Sequence, residues 1–352
     1  MKIGIIGAGE INDIYLKNLT TWKTNIEVVG ISSLHNEHAK IKAEQYHIKF
    51  MTYEEMMNNS SIELVVSLTP VTAHYQILKD ALNHNKHIYT EKVLCSSLEE
   101  ALEIQELAKQ NKLRVGVAPD TFLGAGIQTA KKALEEGLIG EVTSVDAIVN
   151  RCASFSYAPN RFNTQKGGGI GFNIGIYFLN AILYLLGPVA KTSGFILKAG
   201  EQANSNPNSP YYNQKMFIDN EDLMVGSILF DSGVCGNLHF NGRSIYPEVP
   251  VITIMGTKGI LYLPDPNKFG GSVKYTLFGT RRDLPVEFKE LELVNEYTDN
   301  SRGLGVVDMV DSILNNKPHQ ASIERAIHAI EVLSLIEKSS DTGLTQTLTT
   351  KI

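Results

Sequence analysis

The chain has few cysteines, no long apolar run, no excess of basic charge and no low-complexity segment, and each absence removes a class of protein. Its three cysteines, Cys95, Cys152 and Cys235, stand far apart in 352 residues and form no CxxC pair. That spacing excludes a disulfide or zinc framework and reads as reduced, buried thiols of a cytoplasmic protein. No apolar run is as long as a membrane span, so a membrane partner is not expected. The few apolar residues at the N-terminus begin a strand and do not form the core of a signal peptide. With 32 Lys and Arg against 38 Asp and Glu, the net charge is −6 and the pI is near 5.9. A nucleic-acid partner needs a concentrated basic face, and this balance argues against one. No metal-ligating pattern and no internal repeat stand out. What remains is a globular composition, 43% hydrophobic, over a length that implies two domains.

The first dozen residues carry the most specific local signal. Lys2 to Ile6 is an apolar run, Gly7-Ala8-Gly9-Glu10-Ile11-Asn12 follows, and helical spacing begins at Ile11. This is strand, glycine turn, helix. In a dinucleotide fold the first glycine makes the turn and the second lets backbone approach a pyrophosphate. The helix N-terminus then offers free N–H groups to the phosphates. The third glycine of that fingerprint is Asn12 here, so the motif is two-thirds complete.

Strands then alternate with helices. Strands are expected at 26–32, near Phe50, and at 63–68, 87–90 and 113–117; helices at about 36–46, 73–83 and 98–110. That alternation specifies a parallel sheet with right-handed crossovers, whose ligands sit at the carboxyl ends of the strands. Gly7 to Asn12, Ser33, Thr69-Pro70, Glu91-Lys92 and Pro119-Asp120 all fall at such ends. The second strand ends in Ser32-Ser33-Leu34-His35 and lacks the Asp or Glu that would accept the ribose 2′-hydroxyl of NAD. Ser33, with His35 or Lys40, could hold a 2′-phosphate, although no Arg stands among them. The cofactor is therefore NAD or NADP, and the missing acid tilts the reading toward NADP.

The second half changes character. After a helix at about 126–136, long β runs are expected at 142–149, 192–197, 223–230, 235–240, 251–255, 259–263 and 273–278. Most are separated by turn residues, which indicates a large, mostly antiparallel open sheet. Between the first two lies a glycine-rich entry, Gly167-Gly168-Gly169, to a helix that Gly187-Pro188 closes. The Asn/Pro/Ser-rich stretch 201–213 reads as a surface loop. The last helices are expected at about 305–315 and 323–339.

Several of these motifs together resemble one family, the glucose–fructose oxidoreductase / inositol dehydrogenase / MocA oxidoreductases. The resemblance covers essentially the whole chain. It rests on Gly7-Ala8-Gly9-x-Ile11, Thr69-Pro70-x-x-x-His74, Lys86-His87-x-x-x-Glu91-Lys92, Gly137-x-Ile139-Gly140-Glu141-Val142 and Gly167 to Tyr177. Ala118 to Gly126, Gly256-Thr257-Lys258-Gly259 and Leu263 to Asn267 look like one branch of it. The resemblance implies an α/β architecture: a Rossmann domain over residues 1–122, then an α+β domain with the open sheet over residues 123–352 for substrate binding and oligomerisation. It also implies NAD(P)-dependent dehydrogenase or reductase activity on a CH–OH group of a sugar, polyol or sugar derivative. A homo-oligomer, dimer or tetramer, through the C-terminal sheet would follow.

Carried over residue by residue, the family's Glu-Lys-Pro motif matches Glu91-Lys92-Val93 and places Lys92 near nicotinamide and substrate. Its glycine-rich motif matches Gly167 to Tyr177 and supplies an acid and a proton-transfer residue, here Asn173 and Tyr177. Val93 replaces the proline. A non-proline cis bond costs roughly 2.5–4 kcal/mol, so Lys92–Val93 is expected to be trans. Asn173 replaces the acid, and an amide can orient a hydroxyl but cannot take its proton.

Hydride transfer needs a base for the hydroxyl proton and a donor or positive group at the forming carbonyl. Asn173 and Tyr177, four apart, share one helix face. A phenol titrates at about 10, and a neighbouring ammonium would lower that. The catalytic candidates are therefore Tyr177 as proton donor and acceptor, Lys92 as electrostatic partner or alternative base, and Asn173 as substrate orienter. Gly7, Ala8, Gly9, Glu10, Ile11, Ser32, Ser33, Leu34, Thr69, Pro70, His74, Glu91 and Lys92 are the cofactor candidates. Within that set, Glu91 reads as a support for Lys92 or the turn, and His74 as a packing or capping residue. Asp120 is a substrate candidate with loop cap as its equal alternative, and Tyr157 and Arg161 are candidates from the loop before Gly167. His328 reads as a core or interface residue. The departures at Val93 and Asn173 leave a second reading, a non-catalytic member that binds dinucleotide and sugar as a regulator. A third uses bound NAD without net turnover for an elimination on a glycoside.

Overall fold

The structure, a computed structural model, describes residues 1–153, 164, 167–244, 251–279 and 287–352. The first elements in chain order are β1 (Lys2–Ile6), α1 (Asn12–Thr21), β2 (Glu27–Ser32), α2 (Asn36–Gln45), β3 (Lys49–Phe50), α3 (Tyr53–Asn58), β4 (Leu64–Ser67) and α4 (Val71–Asn83). Then come β5 (His87–Thr90), α5 (Leu98–Gln110), β6 (Val115–Val117), α6 (Ala125–Glu135) and β7 (Val142–Asn150). A π-turn (Gly171–Gly175) leads into α7 (Ile176–Leu186), followed by β8 (Val189–Ala203), β9 (Lys215–Phe230), β10 (Cys235–Asn241), β11 (Ile252–Gly256), β12 (Gly259–Leu263), β13 (Lys274–Leu277) and β14 (Lys289–Glu290). The chain ends with α8 (Leu304–Leu314), α9 (Ile323–Thr342) and β15 (Gln346–Thr347).

The chain forms two compact units. The first comprises Met1–Thr121 with Asn300–Ile327, and the second Phe122–Asp299 with His328–Ile352. The sequence reading places one boundary after residue 122, whereas the chain also returns to the first unit over Asn300–Ile327. That return is fastened by long-range polar contacts that composition does not reveal. Asn18 Nδ2 donates to Asn300 O and Arg302 O (3.0 and 2.9 Å), and Ser322 bridges to Gly116.

In the first unit six strands pair in parallel in the order β3-β2-β1-β4-β5-β6. β1 and β4 are apolar at nearly every position because helices cover both faces of such a sheet. Ile3, Ile5, Leu64, Val65, Val66 and Ile88 are fully buried. The strand order reverses beside β1, so the carboxyl ends of β1 and β4 flank a switch point, where α/β sheets bind ligands.

In the second unit nine strands run in the order β14-β13-β12-β11-β7-β10-β9-β8-β15, antiparallel except for the β7–β10 pair. Alternating burial along β7, β11 and β12 marks one packed face, as a mostly antiparallel sheet allows. The expected loop at 201–213 is shorter than the sequence implied. β8 continues to Ala203 and β9 begins at Lys215, because the two form a long hairpin whose outer face carries exposed residues. Burial also corrects the cysteines. None of the three is in a disulfide among the described residues, but only Cys95 is buried; Cys152 is exposed, and Cys235 points outward at the start of β10.

His328 is a core residue of the second unit. Its Nε2 accepts from Val189 N (2.9 Å), so the neutral ring donates from Nδ1 to Thr350 Oγ1 (2.8 Å). The Glu331 carboxylate accepts the amides and hydroxyls of Thr349 and Thr350 at 2.6–2.9 Å. Burial lowers the pKa of His328 to about 4. Among the described residues, no helix is long and apolar enough to cross a membrane.

Candidate functional site

The first unit brings five strand ends together, and the glycine turn after β1 shows why its residues are what they are. Gly7 has φ +107°, and a Cβ there would stand 2.5 Å from Leu68 O, so no other residue fits. Beside Gly9, by contrast, there is no atom within 4 Å of a Cβ position among the described residues. Ala8 and Ile11 are half-buried, Gly9 and Glu10 exposed. No side chain among the described residues caps the start of α1; its first amide, Asn12 N, donates to Gly9 O (3.1 Å). Open approach at Gly9 and a helix start without a side-chain cap suit a pyrophosphate. Asn12, in place of the third glycine, is fully buried and donates from Nδ2 to Gly7 O (2.7 Å), tying the turn from inside. Its Oδ1 is buried with no hydrogen-bond partner among the described residues.

At the end of β2, Ser32 is buried, Ser33 half-buried and Leu34 94% exposed. The His35 ring faces His38 at 5.6 Å, and Lys40 Nζ pairs with Glu37 Oε1 at 2.8 Å. A 2′-phosphate here would compete with Glu37 for Lys40. At the end of β4, Thr69 Oγ1 meets Ser67 Oγ (3.0 Å) and Pro70 precedes α4. Fully buried His74 links the strand ends, with Nε2 on Thr69 O (2.8 Å) and Nδ1 on Val93 O (2.7 Å). Burial lowers its pKa, against the pull of those carbonyls.

After β5, Glu91 spends both oxygens on the protein. Oε1 accepts from Tyr15 Oη (2.8 Å) and Oε2 from Lys92 N (3.1 Å). The Lys92–Val93 bond is cis, which corrects the expectation of trans. The intrinsic preference was a poor guide because it ignores the flanks, which Glu91 holds at Lys92 N and His74 at Val93 O. Burial pushes the Lys92 ammonium down to about 8, with the Arg302 charge acting the same way and Glu91 opposing. After β6, buried Asp120 Oδ2 accepts from Gly303 N (3.0 Å) and Gly305 N (2.9 Å), the amides that open α8. Of its two alternatives, this geometry serves the cap. Burial raises its carboxyl to about 6, and Glu91 adds to that while the two glycine amides and Arg302 oppose.

In the second unit, Asn173 lies in the π-turn and Tyr177 in the first turn of α7. Asn173 N donates to Gly169 O (2.8 Å), and Asn173 is half-buried. Tyr177 is only 7% exposed. Behind this turn sits Glu221 of β9, 4% exposed, with Oε1 accepting from Gly171 N (3.0 Å). Burial, with the charge of Glu337 second, pushes its carboxyl up to about 8, while amides of Glu221, Gly171 and Phe172 pull the other way. Tyr157 and Arg161, the remaining substrate candidates, lie outside the described residues.

Sequence reasoning missed Tyr15, Arg302 and Glu221. Tyr15 and Arg302 act on Glu91 and Lys92 from distant positions and leave no local trace. Glu221 had a signal: Asn220, Glu221 and Asp222 are three consecutive buried polar residues in a strand, which alternation forbids unless something receives them. The first unit thus brings to its strand ends a positive-φ glycine turn, open approach at Gly9 and a lysine whose ammonium is lowered to about 8. The second offers an amide and a phenol on a turn held by a buried acid.

A family model described as an oxidoreductase family with an NAD-binding Rossmann fold matches residues 1–118, and a GFO/IDH/MocA C-terminal domain model matches residues 127–262. An uncharacterized oxidoreductase of Schizosaccharomyces pombe is 29% identical over 150 residues, covering 42% of this chain and 41% of that protein. The scyllo-inositol 2-dehydrogenase (NAD(+)) of Bacillus subtilis is 24% identical over 268 residues, covering 75% of this chain and 73% of that protein. Among solved structures, levoglucosan dehydrogenase in complex with NADH superposes with a TM-score of 0.85 at 17% identity, covering 99% of each chain. At that identity the likeness concerns the fold.

Proposed function

Because the chain belongs to the Gfo/Idh/MocA family of oxidoreductases, we propose that it is an NAD(P)-dependent dehydrogenase or reductase that moves a hydride between nicotinamide and a CH–OH or carbonyl group of a sugar, polyol or sugar derivative. The observation that carries this reading is Lys92. It is half-buried at the carboxyl end of a parallel strand beside the glycine cradle, with its ammonium pushed down to about 8. A dinucleotide, when bound, supplies the hydride acceptor or donor. In its neutral form Lys92 takes the carbinol proton, and as an ammonium it returns it. Tyr177 hydrogen-bonds the reacting oxygen and shares in that proton transfer. Asn173 donates to and accepts from a substrate hydroxyl in place of the family's acid. Gly7, Gly9 and the start of α1 hold the pyrophosphate, with Ser33, Leu34 and His35 beside the adenosine ribose.

The relatives named for inositol and levoglucosan support a polyol or sugar as the substrate class. Because no acid repels a 2′-phosphate at Ser32-Ser33, NADPH binds at least as tightly as NADH. The exposed aromatic residues of the β8–β9 hairpin, Phe195 (71%) and Phe217 (74%), support self-association through that sheet. Nicotinamide fluorescence titration with NADH and NADPH, followed by absorbance assays over a panel of inositols, aldoses and anhydrosugars, tests the proposal. Turnover with at least one is expected. Failure of both cofactors to bind at millimolar concentration would end the dehydrogenase reading.

A further inference from the structure

The triple glycine at 167–169 and the π-turn that follows have a common neighbour, a carboxylate delivered by an irregular strand. Opposite β8, the register of β9 slips. Leu197 pairs with Leu223 and Lys198 with Glu221, so Asp222 is the extra residue of a bulge. A bulge breaks the two-residue alternation and re-aims side chains, which is how adjacent Glu221 and Asp222 are both buried. Asp222 turns to Arg243, accepting from Nε at 2.6 Å. Glu221 turns to the glycines. A Cβ on Gly169 would lie 1.9 Å from its Oε2, and a Cβ on Gly171 would lie 3.3 Å from its Oε1. Gly169 therefore has to be glycine so that the carboxylate can enter, and the Gly171 amide donates to that carboxylate at 3.0 Å. Gly169 O in turn receives the amide of Asn173 (2.8 Å). A wider π-turn, held here from behind, replaces the ordinary helical start under the residues assigned to the substrate.

We propose that Glu221 is a positioning residue: its carboxylate, seated against Gly169 and Gly171, fixes the π-turn that aims Asn173 and Tyr177 at the substrate. The proposal rests on the substrate role given above to those two residues. Glu221 acts through the glycine turn it contacts. It governs how the turn is held. Glu337 of α9 faces it, and Lys198, its register partner on β8, is engaged with Asp219 at 2.8 Å.

The test compares the full-length wild type with Glu221→Ala and Glu221→Gln by hydrogen exchange over 169–177, thermal melting, NADH titration and turnover. Gln keeps the shape and an acceptor for Gly171 N–H, whereas Ala removes both. Glu221→Ala is expected to speed exchange of that segment at least about tenfold while the rest of the chain exchanges as before, and Gln to stay within about threefold of wild type. With a turned-over substrate, Ala is expected to lower kcat about 10- to 100-fold at unchanged NADH affinity, with Gln restoring most of it. Exchange over 169–177 unchanged in Glu221→Ala overturns the proposal. So does acceleration spread over the whole chain with a collapsed melting temperature, or a wild-type kcat in Glu221→Ala. If wild type turns over none of the panel, the activity reading fails, while the exchange data still decide the role of Glu221.

Discussion

The two units build their halves of the chemistry in different ways. In the first, topology does most of the work. Parallel strands end on one side, the order reverses beside β1, and Gly7, Thr69, Glu91 and Asp120 arrive together because each follows a strand. In the second, the strands run mostly antiparallel, so their carboxyl ends alternate between the two ends of the sheet. Asn173 and Tyr177 are held instead by a helix entry that depends on one buried acid from a strand bulge. A site made by topology tolerates loss of a side chain and keeps its ligand. A site made by buried polar contacts changes shape when one contact goes.

The largest effect is expected from Lys92→Met, which keeps the length of the side chain and removes the base. It should lower kcat by about 10³ while NADH affinity changes little, because general acid–base groups contribute about 10²–10⁴. Steady-state kinetics beside a fluorescence titration would show this, and equal losses in both would erase the distinction between cradle and catalyst. In the pH profile, carbinol oxidation should rise through pH about 8. Lys92, lowered from its ordinary value, is neutral above that point and able to accept a proton.

His328 should make the second unit acid-sensitive. His328 has its pKa lowered to about 4, so between pH ~6.5 and ~4 the unfolded chain takes up a proton that the folded chain refuses. Stability should therefore fall as pH drops through that window, by about 3 kcal/mol at most from this residue. Denaturant titrations of wild type and His328→Gln at pH 7 and pH 4.5 check it; an equal loss of stability between the two pH values in both proteins would remove this role for His328.

Gly7→Ala should cost roughly 1–3 kcal/mol through the positive φ and the clash with Leu68 O, and should abolish dinucleotide binding. Thermal melts with and without NADH would measure both. The smallest effect is at the ribose. Glu37→Gln frees Lys40 and should strengthen NADPH binding slightly, by less than about tenfold, with NADH unchanged.

The same contrast explains how much was legible beforehand. Apolar runs broken by glycine and proline announce β1, β2, β4 and β5, and the strand-end rule puts Gly7, Thr69 and Lys92 just after three of them. Local patterns could not report the return of Asn300–Ile327, since that depends on the backbone amides of Gly303 and Gly305 meeting Asp120 across more than 180 positions. The apolar run places this strand at 223–230, whereas β9 begins at Lys215 and includes Asn220, Glu221 and Asp222. Those were the informative residues, because a bulge makes alternation fail where a side chain has been redirected. Intrinsic cost pointed to a trans bond after Lys92, and tertiary contacts from His74 and Glu91 stand where the structure has it cis.

The most direct measurement of the central claim follows nicotinamide absorbance over the polyol and sugar panel, with wild type and Lys92→Met side by side and cofactor affinity measured on both. The account expects stoichiometric reduction of the cofactor with at least one compound, abolished in Lys92→Met at unchanged affinity. Tight cofactor binding with no absorbance change for any compound would contradict it and make the chain a dinucleotide-binding regulator.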